Sequence, residues 1–244
     1  MIMKKGLNAY WVKFIAMIAM IIDHFAHIAI MLPINQNTAM SLATAMNVVG
    51  RVTIPVMCYF IAEGYYHTSN LKRYFIRLIV FAVISQIPYY LWNVGIQTYF
   101  IDFLKYSVFH MNVIYTLIMG LLSLTIAKSK INNVLKLLGI FVAMMSTKYS
   151  DWGIYGVLWV LVAGIFHGDF KKQAVWFGAI SIIRCLVKYT NNTHAFALQL
   201  CTLLALPLLY LYNGERGRKS KYGFHIFYPL HLLILAIIRY LVII

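Results

Sequence analysis

Long apolar runs alternate with short polar or basic segments along almost the whole chain. A helix needs roughly 20 mostly apolar residues to cross the hydrocarbon core of a bilayer. The sequence therefore predicts an all-α fold, a polytopic transmembrane helical bundle with about nine spans. The spans are predicted near residues 10–33, 40–66, 74–92, 110–127, 132–148, 152–167, 173–190, 195–213 and 223–243.

Two segments need a separate interpretation. Asp102 and Lys105 interrupt the partly apolar stretch 93–110, which is compatible with a loop or with a helix at the membrane interface. The first apolar run resembles a signal peptide, but it extends to about Leu32 without a small-x-small cleavage site, so we interpret it as a retained span. No polar linker separates modules, and residues 1–244 are expected to form a single integral-membrane domain.

Composition supports the membrane assignment. Of the 244 residues, 62% are hydrophobic and only 11% are charged, whereas about a quarter are charged in soluble domains. The net charge of +15 could suggest nucleic acid, but the basic residues lie in short clusters between apolar runs, so no nucleic-acid partner is expected. The three cysteines lack CxxC spacing and histidine partners, so neither a metal site nor a disulfide framework is expected.

The basic clusters predict the orientation of the chain in the lipid bilayer. Cytoplasmic loops of membrane proteins are enriched in Lys and Arg. With nine spans, basic-rich and basic-poor loops alternate between the two sides, which predicts a cytoplasmic N-terminus and a C-terminus outside. The clusters on the predicted cytoplasmic side are Lys4/Lys5, Lys72/Arg73, Lys128/Lys130, Lys171/Lys172 and Arg216/Arg218/Lys219/Lys221.

Ionisable residues lie inside the first two predicted spans, where a charged side chain is costly and therefore indicates function. Asp23, His24 and His27 lie near the middle of the first span, and the second carries Arg51 and Glu63. If these spans run antiparallel, Asp23 and Arg51 lie at a similar depth, roughly 18 Å from a span start, and could pair. The alternative is that such a pair has only a structural role and holds the two helices together.

His24 is the candidate general base. A histidine titrates near neutrality and can take a proton from an amine or hydroxyl, while a partner on its other ring nitrogen fixes its tautomer. Adjacent side chains on a helix point about 100° apart, so a carboxylate or carbonyl of another span could hold the ring in place of Asp23. Lys13 lies three turns before His24 on the same stripe, roughly 16 Å away.

Later spans hold weaker candidates. Asp151 precedes the sixth span, where a carboxylate either serves a site or complements the helix dipole. Tyr228 and His231 flank a proline that permits a kink in the last span, and a histidine there can equally be a packing residue. Arg184 and Arg239 lie near span ends, and we expect their side chains to reach the membrane surface.

A set of short motifs runs from the first span to the last. They are Asp23-His24, Gly50-Arg51 with Pro55, Glu63-Gly64, His67-Thr68, Lys72-Arg73-Tyr74, Arg77, Ser85-Gln86-Ile87-Pro88, Asn112 with Thr116 and Gly120, Asp151-Trp152-Gly153-Ile154-Tyr155-Gly156, Tyr212-Asn213-Gly214 and Phe227-Tyr228-Pro229-Leu230-His231. Together they resemble the TraX family, named for the membrane protein that acetylates the N-terminus of F-type conjugative pilin. A more distant similarity is to the type-three membrane acyltransferases.

The resemblance implies a transferase of the bacterial cytoplasmic membrane that moves an acetyl or other acyl group from acetyl-CoA to an amine or hydroxyl. The acceptor would be a peptide, a pilin or a surface glycan, and no metal is implied. In the type-three acyltransferases a basic residue precedes the first-span histidine, the proposed base, by ten intervening residues. Lys13 and His24 have this spacing. The family pattern has Arg at the first position, and Lys keeps the charge but not the bidentate geometry.

These implications assign a role to each candidate. His24 would be the base, Arg51 would stabilise the oxyanion and Asp23 would organise the site. The CoA phosphates would bind Lys13, helped by Lys72 and Arg73. The candidates for substrate binding are His27, Glu63, Asp151, Tyr228 and His231.

Two other classes of function remain open. Intramembrane Asp, His, Arg and Glu residues also form proton relays, so a proton-coupled transporter is the alternative. Such transporters often contain internal repeats with broken helices at matching positions, but the sequences around the prolines of this chain do not resemble one another. A non-enzymatic assembly or immunity factor would use the polar residues only for helix packing. It predicts that alanine is tolerated at His24.

Overall fold

The computed structural model describes residues 6–96, 99–187, 198–218 and 223–243. Within these ranges the chain forms helices and no named strand. The helices are α1 (Ala9–Ala29), α2 (Gln36–Gly50), α3 (Thr53–His67), α4 (Leu71–Val94), α5 (Phe100–Phe109), α6 (Val113–Lys128), α7 (Asn133–Ser146), α8 (Gly153–Ile165), α9 (Phe170–Val187), α10 (Leu198–Tyr210, with a 3-10 turn at Cys201–Leu204) and α11 (Gly223–Ile243).

Among the described residues, four helical segments are long and apolar enough to cross a membrane, and they are α1, Gln36–His67, α4 and Phe100–Lys128. Shorter apolar helices follow at α7, α8, α10 and Ile226–Val242. The all-α fold is confirmed, and its apolar helices agree with a membrane protein. The nine spans and the cytoplasmic N-terminus stay predictions. Lys4, Lys5, Lys219, Lys221 and parts of the predicted spans 173–190 and 195–213 lie outside the described residues.

The segment between the third and fourth predicted spans contains a helix, α5, which resolves the choice between loop and helix at residues 100–109. No residue of α5 is buried in the described structure. The ring of Tyr90 in α4 lies 5.2 Å from that of Phe103 and 5.3 Å from that of Tyr106. Aromatic packing therefore holds α5 against α4.

The second predicted span is interrupted at residues 51 and 52, between α2 and α3. Pro55 has no backbone N–H with which to bond the carbonyl of Arg51, so the helical ladder is broken at this point. Just before the break, a Cβ atom at Gly50 would overlap the side chain of Asp23. Glycine thus lets α2 approach α1 closely at the depth of Asp23.

Helices α6 and α8 pack closely on each other. Trp159, Val157 and Val160 of α8 are fully buried, as are Leu121 and Leu124 of α6. Each of three glycines in these helices faces a side chain of the other helix, which allows close approach, and the pairs are Gly120 with Val160, Gly156 with Thr116 and Gly164 with Leu124. This rigid pair of helices positions the loop that precedes α8.

Polar side chains hold the start of α6 against α4. The Asn112 side-chain amide donates to the Ala82 carbonyl at 2.7 Å and to Gln86 Oε1 at 2.8 Å. The Gln86 amide donates to the His110 carbonyl at 2.8 Å, and Asn112 Oδ1 accepts from the Ile114 N–H at 3.0 Å. The Gln86 and Asn112 motifs therefore serve to join helices, and they fix one wall of the cavity described next.

Candidate active site

A cavity of about 190 Å³ lies at the level of Asp23, bounded by residues of α1, α2, α3, α4, α6 and α11 and by the loop before α8. Its size suits a small reacting group and a few neighbouring atoms. The candidate residues from the sequence that line it are Asp23, His24, His27, Arg51, Asp151 and Tyr228. Residues widely separated in sequence are thus brought together around one space.

The His24 ring is held by a carbonyl of its own helix. Nδ1 of His24 lies 2.8 Å from the Met20 carbonyl oxygen, and because a carbonyl can only accept, Nδ1 is the donor. Nε2 is then left as the proton acceptor. The sequence had suggested a partner from another span. The structure instead supplies one from the preceding turn of α1, because the side chain folds back along the helix.

His231 lies beside His24 and outside the cavity lining. The two ring centroids are 5.1 Å apart, and Nδ1 of His231 donates to the Phe227 carbonyl at 2.9 Å. The residue is 6% exposed, and its Nε2 is buried with no hydrogen-bond partner among the described residues. The ring of Trp92 in α4 lies 5.8 Å from that of His24, so His24 contacts an aromatic ring of α4 as well as one of α11.

Asp23 and Arg51 face the same cavity and interact electrostatically. Within the described part of the chain, the ion pairs closer than 4.0 Å involve Glu63 and Asp169, and this pair is not among them. Asp23 Oδ1 and Arg51 Nε are both buried without a hydrogen-bond partner there. The two charged groups therefore have hydrogen-bonding capacity that a substrate could use.

The corner formed by Asp151 and Trp152 makes another part of the wall. The Asp151 N–H donates to the Met111 carbonyl at 2.9 Å, and the Thr116 hydroxyl donates to the Asp151 carbonyl at 2.7 Å. Trp152 has φ of 62°, in the left-handed region that bulky residues rarely adopt. Its ring lies 5.4 Å from the Arg51 guanidinium carbon. The motif at 151–153 thus places both a carboxylate and an indole at the cavity.

Sequence reasoning misplaced Arg184, whereas the expectation for Arg239 stays a prediction. Arg184 does not reach the membrane surface; it is only 8% exposed, and its guanidinium carbon lies 3.9 Å from the centroid of the Trp152 ring. Nη1 of Arg239 donates to the Trp92 carbonyl at 2.6 Å, near the end of α4, where helical carbonyls lack partners. The charge of Arg184 within an apolar span was a usable signal. Its partner could not be read from the sequence.

Glu63 belongs to a different cluster. Its Oε1 lies 2.9 Å from His167 Nε2 and its Oε2 lies 3.3 Å from His67 Nε2, and Glu63 is 8% exposed. The His167 ring stacks on Tyr66 with the centroids 3.9 Å apart. Glu63 therefore joins α3 to the segment between α8 and α9, and it does not line the cavity.

The three basic candidates for donor binding also lie outside the cavity lining. Lys13 Nζ is 4.6 Å from the centroid of the Phe60 ring, and its charge interacts with those of Glu63 and Arg216. Lys72 and Arg73 are exposed in the first turn of α4. In the part of the chain that the structure describes, no group of three or more His, Cys, Asp or Glu side chains could hold a metal ion.

The cavity residues all fall within the region that matches a known family. The model described as TraX protein matches residues 9–239. The chain is also 30% identical over 237 residues to a protein of Dichelobacter nodosus described as probable fimbrial assembly protein FimC, serogroup H1, with 94% of each chain covered. No solved structure is significantly similar. From the match over nearly its full length, the chain belongs to the TraX family.

Proposed function

We propose that the protein is a membrane acyltransferase that moves an acetyl group from acetyl-CoA to an amine or hydroxyl of its acceptor, with His24 as general base. The observation that carries this proposal is the fixed tautomer of His24 at the cavity. Because Nδ1 donates to Met20, Nε2 is left to accept a proton. A guanidinium and two carboxylates line the same space.

The proposed reaction is a direct transfer. The acceptor nitrogen or oxygen attacks the thioester carbonyl carbon while its proton passes to Nε2 of His24. Negative charge develops on the carbonyl oxygen, and N–H groups of Arg51 donate to it. The C–S bond then breaks, and the proton on His24 passes to the departing sulfur, which gives the acylated acceptor and free CoA. Asp23 balances the charge of Arg51 across the cavity.

The donor would bind along α1. A cavity of about 190 Å³ has room for the thioester end of acetyl-CoA and not for its nucleotide. Lys13 lies three helical turns, roughly 16 Å, from His24, a distance comparable to the pantetheine arm. We therefore assign the phosphates to the Lys13 end of α1, with Lys72 and Arg73 as additional basic groups.

The acceptor would enter the cavity among His27, Asp151 and Tyr228. The Dichelobacter nodosus relative is described as a probable fimbrial assembly protein, which favours a pilin subunit over a glycan. We propose an acceptor of this class. Its reactive group would reach His24 past the two cavity carboxylates, Asp23 and Asp151.

The test is transfer of radiolabelled acetyl from acetyl-CoA to pilin subunits by purified protein in lipid vesicles. General-base catalysis contributes about 10²- to 10⁴-fold, so His24→Ala is expected to lower kcat by at least about 100-fold. His110→Ala is the control, because this histidine is exposed and outside the cavity lining. Wild-type rates in His24→Ala, with matched folded protein, would refute the assignment.

A second function is favoured by one specific observation. The helix from Gln36 to His67 is interrupted beside a cavity that contains Asp23, His24 and Arg51, and interrupted helices with ionisable groups also occur in proton-coupled transporters. The two functions differ in whether the protein needs acetyl-CoA. Saturable binding of acetyl-CoA to the purified protein supports the transferase, and proton-driven uptake into vesicles without acetyl-CoA supports the transporter.

A further inference from the structure

Arg184 is a buried cation for which the proposed reaction has no direct use. It is 8% exposed and does not line the cavity. Its Nε and Nη1 atoms are buried without a hydrogen-bond partner among the described residues. A buried charge with unused donors destabilises a protein unless something compensates it. The neighbours of Arg184 must therefore compensate its charge, and they show what the residue holds in place.

The Arg184 guanidinium lies against the aromatic residues of α8 and the loop before it. Its Cζ is 3.9 Å from the centroid of the Trp152 ring and 5.3 Å from that of Tyr155. Guanidinium groups bind aromatic faces both as cations and as flat groups. Arg184 also interacts electrostatically with Asp151, the residue before Trp152. One side chain of α9 thus contacts or attracts both members of the cavity corner.

The corner needs such support because its backbone is strained. Trp152 is the one non-glycine residue of the described chain with positive φ, at 62°. A bulky residue in this region costs about 1 to 3 kcal/mol and persists only when its surroundings hold it there. On the cavity side, the Trp152 ring lies 5.4 Å from the Arg51 guanidinium carbon. Movement of this ring would therefore move the group proposed to stabilise the oxyanion.

We propose that Arg184 is a positioning residue of the transferase: by stacking on Trp152 and attracting Asp151, it holds the strained corner so that Trp152 fixes Arg51 in the cavity. The inference rests on the proposed function, since it assigns Arg51 to the reacting carbonyl. Arg184 would act from outside the cavity, because α9 contributes no lining residue among those described.

The role predicts a change in turnover without a change in donor affinity. Arg184→Met keeps much of the volume and removes the charge and the flat stacking group, and misplacement of a catalytic group by about 1 Å can cost about 100-fold. We expect kcat to fall about 10- to 100-fold, with the KM for acetyl-CoA unchanged because Lys13 is untouched. Arg184→Lys retains only the charge and is expected to fall between Arg184→Met and wild type.

A double-mutant cycle with Trp152→Ala tests whether Arg184 acts through this ring. The double variant is expected to be no slower than the slower of the two single variants. Arg77→Met is the matched control. The Nε of Arg77 is also buried without a partner among the described residues, and its guanidinium carbon lies 5.5 Å from the centroid of the Tyr74 ring. Arg77 does not line the cavity. Its kcat is expected to stay within twofold of wild type.

Several results would overturn the proposal. They are a wild-type kcat in Arg184→Met, multiplicative losses in the double variant, or a higher KM for acetyl-CoA with unchanged kcat. If Arg184→Met does not fold in detergent, Arg184→Lys decides, and a wild-type kcat in that variant rejects the stacking role. Wild type and His24→Ala are assayed together with these variants. An inactive wild type refutes the proposed function, whereas an active one with insensitive Arg184 variants refutes only the inference.

Discussion

Two histidines with almost the same local geometry have different positions relative to the cavity. His24 and His231 each donate Nδ1 to a carbonyl four residues earlier, at 2.8 and 2.9 Å. Only His24 lines the cavity, whereas Nε2 of His231 is buried with no partner in the described structure. In the proposed reaction, His24 differs from His231 by its access to the cavity and not by its ring chemistry. The two rings are in contact, so the distinction can be tested.

His231→Phe keeps an aromatic ring and removes both nitrogens, the unpartnered Nε2 and the Nδ1 that donates to the Phe227 carbonyl. An unpaired buried polar atom costs about 1 to 3 kcal/mol and a hydrogen bond contributes about 0.5 to 1.5 kcal/mol, so we expect the free energy of unfolding to be unchanged or higher. We expect kcat to fall less than about tenfold, against at least about 100-fold for His24→Ala. Thermal unfolding and acetyl transfer measure the two effects. A loss as large as that of His24→Ala would show that His231 carries the proton.

At the scale of helices, the site depends on the contact between α1 and α2. Gly50 ends α2 where the helix is interrupted, and its missing side chain leaves the space that Asp23 occupies. Arg51 follows directly and lines the same cavity. A single small residue thus allows a carboxylate and a guanidinium to face one cavity at a similar depth. Close packing of α1 on α2 explains the glycine of the Gly50-Arg51 motif, and the proposed reaction would use its arginine.

Gly50→Ala is expected to displace Asp23, because the new Cβ would overlap that side chain. Over-packing of this kind costs about 1 to 3 kcal/mol, so both the melting temperature and kcat should fall. Gly178→Ala is the control, since in α9 the nearest atom to the added Cβ is 4.0 Å away. If Gly50→Ala retained wild-type kcat, the close approach of α2 would have no part in ordering Asp23.

At the scale of the whole molecule, the sequence predicted the class of fold and six of the sixteen residues that line the cavity. The long apolar runs predicted the helices, and the cost of intramembrane charge pointed to Asp23, His24 and Arg51. The sequence could not show which residues of distant helices contact each other. Residue spacing along a helix predicts which residues share a face, but it does not identify the helix that packs on that face. Glu63 with His167 and Arg184 with Trp152 are such pairs. The interruption at Arg51 was foreseeable from Pro55, which lies four residues later.

In the proposed function, the reaction and donor binding occur at different levels of α1, with His24 at the cavity and Lys13 three turns away. A hydrogen bond to a charged group is worth about 1.5 kcal/mol, so Lys13→Ala is expected to raise the KM for acetyl-CoA roughly tenfold. Lys13→Arg should keep the wild-type KM, and Lys171→Ala, an exposed lysine of α9, is the control. An acetyl thioester without the nucleotide should be used equally well by wild type and Lys13→Ala. If Lys13→Ala lowered the rate equally with both donors, Lys13 would have a structural role through its contact with Phe60.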